Sequence, residues 1–169
     1  MTALAKSAKT ALSSQTMKLE IGNAAPFFSR PDQSGKIVST ADLKGKQAVI
    51  YFYPKAFTPG CTTQSCDFRD NYRAFQAAGF EILGVSPDPV EKLEKFRAEY
   101  ELPFSLLSDE DHSMAEAFGA WGTKTNYGKE YVGLIRSTFT LDADGKISHA
   151  WYNVKAKGNA ARVGLEVLG

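Results

Sequence analysis

Cysteine is almost missing from this chain: its 169 residues include only Cys61 and Cys66. Two cysteines cannot staple a chain of this size as a disulfide scaffold. They read instead as chemistry in a reducing compartment, where any disulfide is transient. A charge excess is missing as well. Twenty Lys and Arg stand against nineteen Asp and Glu, a net charge of +1. No global field therefore draws the chain to nucleic acid or to an anionic membrane. Long hydrophobic runs are missing too. The longest purely apolar stretch near the centre, Ala48 to Tyr53, falls far short of the roughly 20 residues that span a bilayer. No internal repeat or low-complexity tract is visible.

The first nineteen residues carry Lys6, Lys9 and Lys18 but no acid and no arginine. They lack the apolar core of a secretory signal. Residues 1–17 read as a disordered extension, and residues 18–169 as a single domain with a sizeable core. A cytoplasmic location fits, with organelle targeting by the extension as the alternative.

What is present is an alternation of elements. Ala25-Pro-Phe-Phe28, the turn residues Pro31 to Gly35, and Lys36-Ile-Val38 predict an N-terminal hairpin. Gln47 to Tyr53 predicts a strand buried on both faces. Thr58 predicts a helix N-cap with Pro59 at the first helical position. Phe68, Tyr72 and Phe75 share one face of that helix, and Gly79 stops it. A second strand follows at Glu81 to Val85. Asp88-Pro-Val-Glu91 then reads as a helix start, and Phe104 to Leu107 as a third strand. A short helix spans Met114 to Phe118, residues 119–133 read as loop, and Ser137 to Leu141 with Ile147 to Val154 form a hairpin. A last helix covers Ala160 to Leu168. Strands that alternate with helices predict parallel pairing, and the late hairpin adds antiparallel strands. The expected architecture is an α/β fold with a mixed central sheet flanked by helices, and Cys61 at the carboxyl end of a central strand.

Capped by Thr58, that helix holds Cys61 in its first turn. The amide hydrogens there have no partner within the helix, and they favour negative charge on the sulfur. A thiol with a pKa of about 8.5 is only about 3% ionised at neutral pH. Lowering it to about 6 raises the thiolate roughly thirtyfold, but the weaker base loses about tenfold in nucleophilicity. Acidity alone is thus a few-fold effect. Other groups must hold the substrate and the developing charge. The candidates are the Thr58 hydroxyl, the backbone amides of Gly60 and Cys61, and a cation. Arg136, at the start of a late strand, is one source of that cation.

Residues five apart on an intact helix have Cα atoms about 8–9 Å apart. A disulfide needs less than about 7 Å. Cys61 and Cys66 can therefore bond only if the first turns unwind. Spacing alone leaves Cys66 open between that role and a small apolar core residue.

The run Tyr51-Phe-Tyr-Pro-Lys-Ala-Phe-Thr-Pro-Gly-Cys-Thr-Thr-Gln-Ser-Cys66 resembles the peroxiredoxin active site of Pro, three residues, Thr, two residues, Cys. It is similar in particular to the PrxQ, or bacterioferritin-comigratory protein, branch. Leu106 to Asp111, Phe118 to Gly122, Tyr127 to Glu130 and Arg136 to Phe139 extend the match over roughly residues 18 to 157. The C-terminal helix is shorter than that branch usually has. The resemblance implies a thioredoxin-like fold and an atypical 2-Cys thiol peroxidase. Cys61 matches the peroxidatic cysteine and Cys66 the resolving one, joined as an intramolecular disulfide. Thr58 and Arg136 match the active-site threonine and arginine, and Pro54 the proline that shields the cysteine. Substrates would be hydrogen peroxide and organic hydroperoxides, and the reductant a thioredoxin-type dithiol. No metal or organic cofactor is implied. A monomer suffices, with a weak dimer as the alternative. Phe57, Trp121 and Trp151 are candidate pocket aromatics, Phe57 foremost.

Two rivals stand beside this reading. A general disulfide oxidoreductase would want Cys-x-x-Cys, whereas four residues intervene here. A zinc module would need His112 and His149 to join the cysteines, and neither has paired spacing.

Overall fold

The computed structural model describes residues 18–168. The expected extension at residues 1–17 lies outside them. The chain opens with an antiparallel hairpin, β1 (Ser29–Pro31) and β2 (Ile37–Ser39), followed by a 3-10 turn at Thr40–Leu43. The central sheet contains β3 (Gln47–Phe52), β4 (Phe80–Ser86), β5 (Ser105–Ser108), β8 (Ser137–Leu141) and β9 (Ile147–Trp151), in the order β5-β4-β3-β8-β9. β3, β4 and β5 run parallel. β8 pairs antiparallel with β3, and β9 pairs antiparallel with β8, giving the mixed sheet that the element order predicts.

β3 explains why this sheet has two covered faces. Side chains alternate along a strand. Ala48, Ile50 and Phe52 enter one apolar cluster, with Phe118, Phe139 and Met114. Val49, Tyr51 and Tyr53 enter the other, with Phe68, Phe75, Phe96 and Val163. The second face is covered by α1 (Pro59–Asp70), α2 (Tyr72–Ala77), α3 (Val90–Glu99) and α5 (Asn159–Val167). α4 (Ser113–Ala117) packs on the first face. Gly84, opposite Tyr51 in the β3–β4 register, makes this packing possible. A Cβ there would lie 2.8 Å from the Tyr51 ring and 2.9 Å from Leu106, closer than van der Waals contact allows.

Two expectations are corrected. The helix expected from Thr58 to Gly79 breaks at Asn71, whose φ and ψ are −104° and 4°. The Asn71 amide donates to the Asp67 carbonyl at 2.8 Å, a local bond that competes with helix continuation. Residues 119–133, expected as loop, contain a second hairpin, β6 (Trp121–Asn126) and β7 (Lys129–Leu134). Its turn residues Tyr127 and Gly128 have φ of 52° and 78°, as a tight two-residue hairpin turn requires. Most of β7 is exposed, so the strand carries no alternation of buried and exposed residues to betray it.

Candidate active site

Sequence adjacency and the sheet register together build the site. β3 ends at Phe52, and Phe52 pairs with Ser137 of β8. Arg136 directly precedes β8, an inner strand, so the register carries it to the place where the chain leaves β3 for the cysteine loop. That loop, Pro54 to Thr58, is pinned from β4. The buried Asp88 carboxylate accepts the Ala56 N–H at 2.7 Å and the Ser86 hydroxyl at 2.8 Å, with Lys92 at 3.2 Å. Asp88, read as a helix start, thus serves the loop, and Pro89 takes the N-cap of α3. A buried carboxylate gains more from these donors than from one exposed cap.

Phe57 sits in the loop at φ +69°, a conformation that costs a bulky residue on the order of 1–2 kcal/mol. It is held there by edge contact with Phe96 at 5.1 Å and by Tyr100 at 6.2 Å, and 38% of its surface stays exposed. Pro54 is half-buried. Trp121 packs with the cluster on the other face of the sheet, away from Cys61. Trp151 lies against the Cys61-side cluster, stacked on His149 at 5.2 Å.

Thr58 is the N-cap by backbone, at φ −76° and ψ 151°, with Pro59 next. Its carbonyl accepts the Thr62 N–H at 2.9 Å. Its hydroxyl does not cap. It donates to the Lys55 carbonyl at 2.7 Å, so the oxygen keeps its lone pairs for another donor.

Cys61 is fully buried in the apolar cluster, yet a cation reaches it. Arg136 Nη2 donates to Cys61 Sγ at 3.3 Å, and Arg136 Nη1 donates to Gln64 Oε1 at 2.5 Å. Gln64 Nε2 in turn donates to Asn159 Oδ1 at 2.9 Å, which also accepts the Thr138 hydroxyl at 2.8 Å. The guanidinium fork is thereby held by α1, α5 and β8 together. The guanidinium passes close to Gly60: a Cβ there would lie 3.6 Å from Arg136 Nη2, in ordinary van der Waals contact. Negative charge forming beside this sulfur meets a fixed cation inside a water-poor pocket, where the attraction is strong. Gln64 and Asn159 were not among the sequence candidates. The available signal was position: Gln64 follows Cys61 by three residues and so shares its helix face.

Cys66 is half-buried on α1, and both thiols are free. Burial pushes the Cys66 thiol up; Arg69 opposes this, while Asp70 and Asp67 add to it. Among the described residues no three His, Cys, Asp or Glu side chains are grouped so as to hold a metal ion. His112 stacks on Trp121 at 3.8 Å, and His149 bonds to the Thr140 hydroxyl at 2.9 Å. Neither joins the cysteines.

The AhpC/TSA family pattern matches residues 21–150. The chain belongs to that family. This peroxiredoxin is 52% identical over 149 residues to a Mycobacterium tuberculosis relative, covering 88% of this chain and 95% of that one. It is 48% identical over 145 residues to peroxiredoxin Bcp of Bacillus subtilis, covering 86% and 92%. Two solved Xanthomonas campestris structures, of peroxiredoxin Q and of a bacterioferritin comigratory protein, each align at 39% identity with a TM-score of 0.81. They cover 88% of this chain and 94% and 95% of theirs. The second was solved for its alkyl peroxide reduction activity. The expected branch, thioredoxin-like fold and thiol peroxidase class therefore hold. Among the described residues no helix is long and apolar enough to cross a membrane.

Proposed function

We propose that Cys61 reduces hydrogen peroxide and organic hydroperoxides and that Cys66 resolves the product. The observation that carries this is the Arg136 guanidinium against the Cys61 sulfur at 3.3 Å. In the first step the Cys61 thiolate attacks the nearer oxygen of R–O–O–H. The O–O bond breaks and an S–O bond forms. Sulfur loses two electrons to become sulfenic acid, and the departing alkoxide or hydroxide takes a proton from solvent, equal to the one the thiol gave up on ionising. Arg136 steadies the sulfur anion and then the leaving oxygen, and the Cys61 and Gly60 amides at the helix start face the same charge. The Thr58 oxygen, its hydrogen committed to Lys55, accepts a hydrogen bond from the hydroperoxide O–H and aligns the substrate. Pro54 limits access of water, and Phe57 borders the approach of bulkier hydroperoxides.

In the second step Cys66 displaces hydroxide from the sulfenic acid. An intramolecular Cys61–Cys66 disulfide and one water result. A thioredoxin-type dithiol reduces that disulfide by exchange. Both reacting thiols lie on one chain, so a monomer completes the cycle without metal or organic cofactor. Residues 18–169 act as the one catalytic domain, with 1–17 an extension to it, in a reducing cytoplasm. Coupled turnover with thioredoxin, thioredoxin reductase and peroxide tests this. Cys61→Ser abolishes turnover, whereas retained steady-state activity in that variant would overturn the assignment.

A further inference from the structure

Ser65 lies between the two cysteines on α1 and is fully buried. Its hydroxyl shares a hydrogen bond of 2.8 Å with the Tyr51 hydroxyl of β3. Tyr51 is itself fully buried and packed on every side. Its ring stacks on Phe68 at 4.6 Å and on Tyr53 at 5.4 Å, meets Phe104 edge-on at 5.9 Å, and lies over Gly84. Burial drives the Tyr51 phenol well above its ordinary range, so it stays a neutral donor and acceptor at any pH the protein experiences. This hydroxyl pair takes no part in the peroxide chemistry described above, and it ties the segment between Cys61 and Cys66 to the centre of the sheet.

Cys66 reaches Cys61 only when that segment unwinds. Unwinding carries Ser65 away from Tyr51 and leaves a phenol oxygen without a partner in an aromatic cluster. Buried polar groups stripped of their partners are costly, and the cost falls on the unwound state alone. We propose that the Tyr51–Ser65 bond is a positioning element that holds the two-cysteine turn helical and thereby sets the rate of the resolving step. The proposal rests on the reading of Cys61 and Cys66 as the reacting pair. In the step it controls, the Cys66 sulfur bonds to the Cys61 sulfur and the S–O bond breaks. Hydroxide leaves with the Cys66 proton as water, and the Cys61 sulfur is reduced as the Cys66 sulfur is oxidised. The bond gives Cys61 time in its sulfenic form, during which a second peroxide can take it on to sulfinic acid.

The test is stopped-flow fluorescence of the full chain with hydrogen peroxide. It separates a peroxide-dependent first phase from a peroxide-independent second phase. Tyr51→Phe removes the phenol and its cost in the unwound state, and Ser65→Ala removes the other partner. Tyr51→Phe speeds the second phase about fivefold, the worth of one ordinary hydrogen bond. It leaves the first phase within about twofold, since the variant keeps the ring, and it lowers the sulfinic acid formed at high peroxide. Ser65→Ala also speeds the second phase, and the double variant gives less than the product of the two single effects. Ile147→Val, on the opposite face of the sheet, lowers the melting temperature and leaves the second phase unchanged. A second phase that is unchanged or slower in Tyr51→Phe overturns the proposal. So does an equal acceleration in Ile147→Val, which would mean that general loss of stability is the cause. If the wild-type chain gives no Cys61–Cys66 disulfide by mass spectrometry, the reading beneath the proposal has failed instead, and the proposal with it.

Discussion

Arg136 Nη2 lies 3.3 Å from Cys61 Sγ, although 75 residues separate them in sequence. The cysteine rides the first turn of a helix that follows β3, and the arginine directly precedes β8, the strand paired with β3. One antiparallel register thus brings a cation to a sulfur. The guanidinium's other arm is fixed on Gln64, so little rotamer freedom remains to be lost when substrate arrives.

Removing the fork should cost the first chemical step most. Arg136→Ala is expected to slow sulfenic acid formation by about 10²–10³-fold, the effect of deleting one donor to a developing anion. Arg136→Lys should recover only part of this, because an ammonium cannot bridge Cys61 and Gln64 in the guanidinium's planar geometry. Stopped-flow rates with hydrogen peroxide read both. A rate within twofold of wild type in Arg136→Ala would contradict the role.

Gln64 belongs to the same network at one remove. Gln64→Leu deprives Arg136 and Asn159 of a partner in a buried place, which should destabilise the fold by about 1–3 kcal/mol. It should also slow the peroxide step about tenfold at unchanged Cys61. Gln64→Glu restores an acceptor for Arg136 and should return most of the rate. Urea denaturation together with stopped flow separates the two effects. Equal rates in the Leu and Glu variants would remove Gln64 from the site.

The pH dependence of the resolving step follows from Cys66. Its thiol is raised in the folded helix, so the folded form keeps a proton that the unwound form releases near an ordinary thiol value of about 8.5. Above that value the helical state loses stability as pH rises, because unwinding then releases the proton. The unwound thiolate is also the better nucleophile. The resolving rate should therefore climb from pH 6 towards pH 9 by up to about tenfold per unit, measured by quenching and mass mapping of the disulfide. A rate that falls over that range would contradict the assignment of Cys66 as attacking thiol.

Gly84 is required by the Tyr51 ring. Gly84→Ala sets a Cβ 2.8 Å from that ring and 2.9 Å from Leu106, between two strands that cannot part. Such overpacking should cost about 1–3 kcal/mol, seen as a lower urea midpoint. An unchanged midpoint would show that the contact relaxes freely.

The legible parts of this protein are those carried by local pattern. The double-faced burial of β3 shows in Ala48 to Tyr53, and the helix start shows in Thr58-Pro59 followed by Cys61. Other features depend on tertiary context. Nothing near Asp88 tells that its carboxylate turns back to the Ala56 amide, because the helix-start pattern around it is equally satisfied by Pro89. β7 lies largely in solvent, so no periodicity marks it, and Tyr127-Gly128 is an uncommon turn pair. Arg136 is found by family resemblance, whereas Gln64 needs the folded helix and the arginine in place before its role appears.

Whether peroxide reacts at residue 61 is decided by treating Cys66→Ser with one equivalent of hydrogen peroxide and weighing the intact protein and its peptides. One peroxide should be consumed and one oxygen gained at residue 61, trapped by a sulfenic acid reagent, with no disulfide. Oxygen absent from residue 61, or peroxide consumed at the same rate after Cys61→Ser, would contradict it.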